Sequence, residues 1–255
     1  MSSLPTSPSQ IYSHYPAIPA PRPLRLTTLL PTNCGYLPGR IARFRAFTVR
    51  TMDGGVHEQF MDDGFRRAGR LLYQPVCPGC RACTPIRIPV ERFRPSRSQR
   101  RCLTRNADLV IEIDEPRLDD ERVALYTRYQ LERHREQVPP DRAELFQFLY
   151  DSPVRSIEVC LRDAQRRLLA VGICDVGPSS LSTVYCFYDT RQSKRGLGTF
   201  SALVEIEHAR RLGLAYYYLG YWVPGCAAME YKRSYRPYEL LGTDGVWRGS
   251  NDCIG

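Results

Sequence analysis

Three cysteines in seven residues, Cys77-x-x-Cys80-x-x-Cys83, constrain this chain more than any other feature. They sit inside Gly64–Arg105, a stretch with eleven arginines and one acid, Glu91. Three thiols so spaced gain little by packing as apolar groups. As thiolates they can wrap one soft metal ion or an iron–sulfur cluster. Cys34, in the turn-like Asn33-Cys34-Gly35-Tyr36-Leu37-Pro38, and Cys102 are the candidates for a fourth ligand. The expected set is Cys34, Cys77, Cys80 and Cys83, holding zinc or an iron–sulfur cluster. The alternative is a reduced, metal-free group with a packing role. Ten cysteines behind an N-terminus that lacks a basic-then-apolar signal fit a reducing compartment, and a cytoplasmic location is expected.

Charge is distributed unevenly. Residues 1–105 carry 17 basic and 5 acidic side chains, a net of +12, whereas residues 106–255 carry 19 and 22, a net of −3. A codon bias towards arginine fits the presence of only two lysines, Lys194 and Lys232, but it would not create that asymmetry. A polyanion bound mainly by the first part is expected. Nucleic acid leads, because phosphate contacts dominate such affinities. No apolar run approaches the roughly 18 residues that span a bilayer, so no membrane partner is expected.

The pattern divides into a Pro- and Ser-rich extension over 1–23, expected to be unordered, a basic cysteine-containing domain over 24–113, and a second domain over 114–255. The first domain is expected to hold strands over Leu24–Leu30 and Ile41–Thr51 and a short helix over Val56–Ala68, either broken at Gly64 or continuous, and ended by Gly69. Further strands start at Leu71 and run over Arg87–Val90, and a basic helix or loop follows Pro95. In the second, Val110–Ile113 is a strand, Asp119–Gln137 a helix with His134 near its end, and Asp141 opens a helix with Glu144 at capping-box spacing. Strands over Ile157–Arg162, Leu168–Asp175 and Ser182–Tyr188 follow. A loop over Asp189–Gly198, a helix over Thr199–Leu212 and a strand over Ala215–Trp222 complete the series. This order predicts an α/β (α+β) fold of two packed halves with acetyltransferase-like (GNAT-like) architecture. Arg195-Gly196-Leu197-Gly198 would lie at a helix N-terminus, where free N–H groups attract an anion.

Several segments together carry a resemblance: Cys34-Gly35-Tyr36-Leu37-Pro38, Gly64-Phe65-Arg66-Arg67-Ala68-Gly69, and Tyr73-Gln74-Pro75-Val76-Cys77 through Cys83. With them go Arg97-Ser98-Gln99-Arg100-Arg101, Arg133-His134, Val184-Tyr185-Cys186-Phe187-Tyr188-Asp189, Leu197-Gly198-Thr199, Tyr218-Leu219-Gly220-Tyr221 and Met229-Glu230-Tyr231-Lys232. Over about residues 30–241 the chain resembles the bacterial aspartate/glutamate leucyltransferases, relatives of the arginyl-tRNA–protein transferases. The resemblance implies transfer of an amino acid from a charged tRNA, Leu-tRNA foremost, to proteins beginning with Asp or Glu, marking them for degradation. Arginine is the alternative donor, and the short chain with CGYLP in place of a CGYC-like entry favours leucine. Two departures stand out. Ala68 replaces the serine of the family's GFRRSG, and Ser193 replaces the Gln or Arg of an acetyltransferase phosphate loop, so coenzyme A use is not supported.

The implied reaction is aminolysis of an ester. An α-amine with a pKa near about 8 is partly neutral at cellular pH, so no covalent nucleophile or cofactor is required. The protein must position the reactants and stabilise the oxyanion. Acceptor selection needs fixed cations, and arginine's planar fork suits a carboxylate. The candidates are Arg66, Arg67 and Lys232, with Tyr218 as a pocket wall. Asp189, with Tyr188 and Tyr221, is the candidate for holding the reacting amine. Arg97, Arg100, Arg101 and Arg195 are expected to meet tRNA phosphate. A non-catalytic tRNA-binding module built on a metal knuckle remains the reading from a different class.

Overall fold

The computed structural model describes residues 25–134 and 137–250, and the N-terminal extension lies outside them. The chain begins with β1 (Thr27–Thr28), β2 (Thr32–Asn33), β3 (Ile41–Ala42) and β4 (Phe44–Thr48). The two strands expected here are shorter than the pattern suggests. The second breaks at Arg43, whose N–H donates to Cys77 Sγ at 3.4 Å while its carbonyl accepts from Val76 N–H at 2.8 Å. Helix α1 (Gly54–Asp62) starts at Asp53, whose carboxylate accepts from Gly55 and Val56 N–H.

The helix expected through Ala68 ends at Asp62. Gly64 takes a left-handed φ of +83°, and β5 (Arg66–Ala68) and β6 (Leu71–Pro75) form a hairpin. The strand wins because it gains a ladder with β6 and lets Phe65 pack edge-on to Phe60 and Phe47. Gly69, expected as a helix cap, makes the hairpin turn at φ +57°, where a Cβ would overlap the Gln147 carbonyl oxygen.

Beyond β7 (Thr84–Pro89), the basic segment folds as α2 (Arg97–Arg105). Ser96 and Gln99 make a reciprocal capping box at its start, which fixes where it begins. After β8 (Val110–Asp114), α3 (Asp120–Tyr129) continues as a π-helical turn over Gln130–His134. Asp141 precedes α4 (Arg142–Leu145) but makes no side-chain cap, so the expected capping box does not form. The rest comprises β9 (Ser156–Arg162), β10 (Leu168–Val176), β11 (Ser180–Tyr188), α5 (Leu197–Arg211), β12 (Tyr216–Trp222), α6 (Ala227–Glu230), β13 (Glu239–Leu241) and β14 (Trp247–Gly249).

One eight-stranded sheet dominates, in the order β14-β13-β7-β12-β11-β10-β9-β8, beside a four-stranded sheet β1-β4-β6-β5. Alternation along β9 and β10 shows how the large sheet is covered on both faces. Val159, Leu161, Ala170 and Cys174 join the core that α5 buries with Leu203 and Ile206. Cys160, Val171 and Ile173 point the other way, into the core that α3 buries with Leu125, Tyr126 and Tyr129. Period-two alternation between two apolar layers is what a doubly covered sheet requires. β7 lies between β12 and β13, so hydrogen bonding crosses the expected boundary at 113/114.

The mixed α/β architecture and acetyltransferase-like order are present: a β9-β10-β11 meander, α5 rising from Gly196 at φ +67°, and β12 parallel to β11. β12 pairs with β11 only at Tyr216, Tyr217 and Tyr218. Its other edge shifts register between Tyr218 and Tyr221, around Gly220 at φ +82°. The candidate site lies along β12 where this shift falls, at Tyr218, Gly220 and Tyr221.

Candidate functional site

Three elements supply the centre of the site. β5 brings Arg66, β12 brings Tyr218, Gly220 and Tyr221, and a 3-10 turn over Tyr231–Ser234 brings Lys232. Arg66 is 6% exposed and Lys232 8%. The Arg66 guanidinium carbon lies 5.4 Å from the Tyr218 ring centre and 5.6 Å from that of Tyr221. Its Nη2 donates to the Gly220 carbonyl at 3.1 Å, and Lys232 Nζ donates to the Tyr221 carbonyl at 2.7 Å. A Cβ on Gly220 would meet Lys232 Nζ at 3.3 Å and Arg66 Nε at 4.0 Å, so the glycine keeps the space between the cations open.

Neither cation has a carboxylate partner among the described residues, and Arg66 Nε makes no hydrogen bond. Burial, then the Arg66 charge, lowers the Lys232 pKa to about 7. Burial lowers that of Arg66 as well. Two buried cations without an anion form a standing electrostatic demand, since a buried charge is ordinarily paired.

The tyrosines are walls. Tyr221 Oη donates to the Gly64 carbonyl at 2.7 Å, and Tyr218 Oη donates to Asp62, so both hydroxyls are spent on the scaffold while the rings face Arg66. Burial raises the pKa of each. Tyr73 of β6, opposite Arg66 in the ladder, is a third wall, a residue the sequence placed in a motif without a site role. Gly220 likewise stood in a motif without a role; a lone glycine inside Tyr216–Trp222 is the signal for a bulge.

Arg67 goes elsewhere. It makes a two-pronged ion pair with Asp175, at 2.6 and 2.7 Å, which also accepts from Ser156 Oγ at 2.8 Å. His57 Nε2 stands 3.6 Å from the same carboxylate, and burial holds its pKa low. Arg67 is therefore a buried strut and not an available cation.

Asp189, at the end of β11, is likewise engaged. Arg191 holds its carboxylate below the usual range through two hydrogen bonds, 2.9 and 2.7 Å, with Arg128 at 3.7 Å. It borders a surface cavity of about 450 Å³ lined also by Glu121, Arg128, Arg167 and Gln192, and none of the Arg66–Lys232 group lines that cavity. Tyr188 packs against Tyr129, ring centres 4.9 Å apart, and under Gly198.

The cysteine segments lie behind the cation pocket. Tyr221 and Cys226 pack with Tyr36, Tyr73 and Cys83. Burial, then Cys77, Cys34, Cys80 and Cys226, pushes the Cys83 thiol up to about 12. Cys80 differs: an Ala82 backbone N–H, helped by Arg40, holds it below the ordinary thiol range. Cys34 accepts from Leu37 N–H, and Cys77 exchanges hydrogen bonds with the Arg43 backbone. Among the described residues no three His, Cys, Asp or Glu side chains are gathered closely enough to hold a metal ion, and the nine described cysteines are free. Of the four expected ligands, Cys83 packs in the wall behind the pocket.

Helix α2 turns Arg97, Arg100, Arg101 and Arg105 to solvent and buries Gln99 and Cys102. Arg195 is paired with Asp108 through two contacts of 2.9 Å, which anchors the loop before α5 to the end of α2. Arg105 adds a bond to the Lys194 carbonyl. No helix among the described residues is long and apolar enough to cross a membrane.

A meander, a helix sprung from a left-handed glycine and a parallel strand beside the meander define an acetyltransferase-like α/β protein, here with two buried cations gathered along β12. Family models described as the N terminus and the C terminus of arginine-tRNA-protein transferase match residues 32–101 and 121–242. The chain belongs to this family of aminoacyltransferases. It is 44% identical over 229 residues to the aspartate/glutamate leucyltransferase of Halorhodospira halophila, covering 87% of this chain and 96% of the relative. With that of Pseudomonas putida strain W619 it shares 42% over 224 residues, covering 86% and 94%. Among solved structures, L-PGS from Bacillus licheniformis superposes with a TM-score of 0.48 at 13% identity, over 66% of this chain and 58% of that one.

Proposed function

We propose that the protein transfers leucine from Leu-tRNA to the α-amine of proteins beginning with Asp or Glu, in the cytoplasm, as the names of its relatives suggest for the donor and acceptors. One observation carries the acceptor assignment: Arg66 and Lys232 are buried beside Gly220 with no carboxylate partner among the described residues. The acceptor's side-chain carboxylate supplies it. Tyr218, Tyr221 and Tyr73 wall the pocket and exclude water, which strengthens the charge contacts. Arg67, committed to Asp175, is not needed for this reading.

With the carboxylate fixed, the neutral α-amine attacks the ester carbonyl carbon of the aminoacyl-tRNA. A C–N bond forms as the carbonyl π electrons move onto oxygen. Collapse expels the ribose oxygen, which takes a proton, and the nitrogen loses one, leaving a peptide bond. Lys232 lies within the same pocket, and its lowered pKa lets it exist in both protonation states near neutrality. Arg97, Arg100 and Arg101 on α2 meet tRNA phosphate, the sequence-independent part of the affinity.

Ester aminolysis draws on no redox or Lewis-acid step, so none is routed through a cofactor. Zinc or iron at Cys34, Cys77, Cys80 and Cys83 is tested by elemental analysis of anaerobically prepared protein; a stoichiometric metal would establish a bound ion that rearranges these thiols. The main test incubates the protein with labelled Leu-tRNA or Arg-tRNA and peptides beginning with Asp, Glu, Lys or Ala. Label from Leu-tRNA on the Asp and Glu peptides alone is expected. Label from Arg-tRNA instead would change the donor. Binding of tRNA without label on any peptide would leave a non-catalytic tRNA-binding protein.

A further inference from the structure

The cation pocket and α2 are joined by one short turn. Within Tyr231–Ser234, Lys232 faces the pocket and its neighbour Arg233 is exposed. The next residues are clamped to the segment that leads into α2: Gln99 Nε2 donates to the Ser234 carbonyl at 3.3 Å and Arg94 N–H to that of Arg236 at 3.4 Å. The Phe93 and Tyr235 rings stack 6.1 Å apart.

On the outer side of this turn the Arg233 guanidinium carbon sits 4.8 Å from the Trp222 ring centre and 5.6 Å from that of Tyr238. Its Nε donates to Tyr238 Oη at 2.7 Å. Arg236 lies 5.9 Å from the Tyr238 ring. The acid of this patch, Glu230, is turned to Trp222 Nε1 and the Gly225 N–H. Arg94, Arg97, Arg101, Arg233 and Arg236 have no carboxylate partner among the described residues, whereas Arg195, Arg210, Arg211 and Arg248 are all paired. Unpaired arginines thus run from α2, past a stack of guanidinium on indole, to the lip of the pocket.

We propose that the Trp222–Arg233 stack receives the unpaired 3′-terminal nucleotides of the tRNA. A terminal base lies on the Arg233 guanidinium, the adjoining phosphates meet Arg236, Arg94 and α2, and the ester-bearing ribose passes over the turn to the Arg66–Lys232 pocket. Aromatic and arginine planes interleaved with backbone-tracking cations are what single-stranded RNA requires. This inference rests on the transferase reading for its ligand, but its test does not require transfer.

The test compares binding of intact tRNA(Leu) and of the same tRNA lacking its last three nucleotides, by fluorescence titration. Stacking of one base is expected to contribute about tenfold in affinity. Arg233→Gln and Trp222→Ala are expected to weaken binding of the intact tRNA by about that factor and leave the truncated one unchanged, with Trp222→Phe restoring most of the loss. Arg97→Ala is expected to weaken both RNAs alike. Because Arg233 is exposed, its variant decides the matter if Trp222→Ala fails to fold. Equal effects of Arg233→Gln on both RNAs, or no effect on either, would overturn the assignment. Selective loss in a protein that labels no peptide would sustain this site and overturn the transferase reading alone.

Discussion

On β5, Arg66 turns to Gly220 and the tyrosines of β12, while Arg67 turns to Asp175 on β10. Adjacent strand residues point to opposite faces, so one position separates a ligand-seeking cation from a structural one. Their replacements should differ accordingly. Arg67→Met leaves Asp175 buried and uncompensated and is expected to cost about 3–5 kcal/mol of stability, read as a lower denaturant midpoint. Arg66→Met keeps the volume and removes a buried charge that has carbonyl partners but no carboxylate among the described residues. Its stability is expected to stay within about 1 kcal/mol or to rise, while kcat/KM for a Glu-start peptide falls about a hundredfold and tRNA affinity holds. Equal losses of peptide and tRNA affinity would refute that role for Arg66.

Lys232 gives a pH signature at the same scale. Its folded pKa, about 7, lies below its ordinary 10.5, so between those values the unfolded chain binds more protons. Stability linked to Lys232 therefore rises with pH across that window, and the full cost of the buried ammonium is felt below it. Its charge, and with it the grip on the acceptor carboxylate, is lost as pH rises through about 7. An arginine there stays charged. The ratio of kcat/KM of the unsubstituted enzyme to that of Lys232→Arg is expected to fall as pH rises from about 6 to about 9, where deprotonation of the peptide amine cancels. A flat ratio would remove Lys232 from acceptor binding.

Among the elements, α2 was legible in outline because Ser96 and Gln99 bracket its start and four arginines share its outer face. Its salt response is the expected measure of contact with tRNA. Replacing Arg97 and Arg101 together by alanine is expected to shallow the slope of log affinity against log salt by about one per arginine; an unchanged slope would take α2 off the RNA path. The β5–β6 hairpin was legible only as a break at Gly64 and a strand from Leu71. A run of Val56–Ala68 with helix-compatible spacing carries the same letters whether or not the chain reverses at Gly64. The reversal is decided by pairing with β6 and by packing of Phe65 on Phe47 and Phe60. The πhelical turns after α3 and α4 likewise have no counterpart in sequence periodicity.

For the whole molecule, the position of β7 matters most. It fills the slot between β12 and β13, and Arg87 on it fastens neighbouring elements. The Arg87 guanidinium carbon is 3.7 Å from the Tyr216 ring centre and 4.3 Å from that of Trp247 and pairs with Asp62 and Glu239. A chain of residues 114–255 alone exposes the apolar edge where Ile86 and Ile88 belong, both of them fully buried. That fragment is expected to show no cooperative thermal transition and to aggregate, because an open apolar edge invites pairing between chains. A cooperative transition like that of the full chain would show that the second part folds by itself.

By itself the sequence determined which residues had to be accounted for: a cysteine array, an excess of arginine in the first 105 residues, and a strand–loop–helix–strand order after Ser156. Those are local patterns of charge, spacing and periodicity, and they survive whatever the chain does at long range. Motif resemblance brought Arg66, Lys232, Tyr218 and Tyr221 into view together but gave no partners. Only the tertiary structure separated Arg66 from Arg67 and set Cys83 and Cys226 behind the pocket wall. It did so because each of those outcomes depends on what lies across a sheet or a cleft, often a hundred or more residues away. The end of the β11–β12 ladder at Ser182 and Tyr218 belongs to the same class. The register shift around Gly220 is of the same kind, because it exists only where β12 pairs with β7.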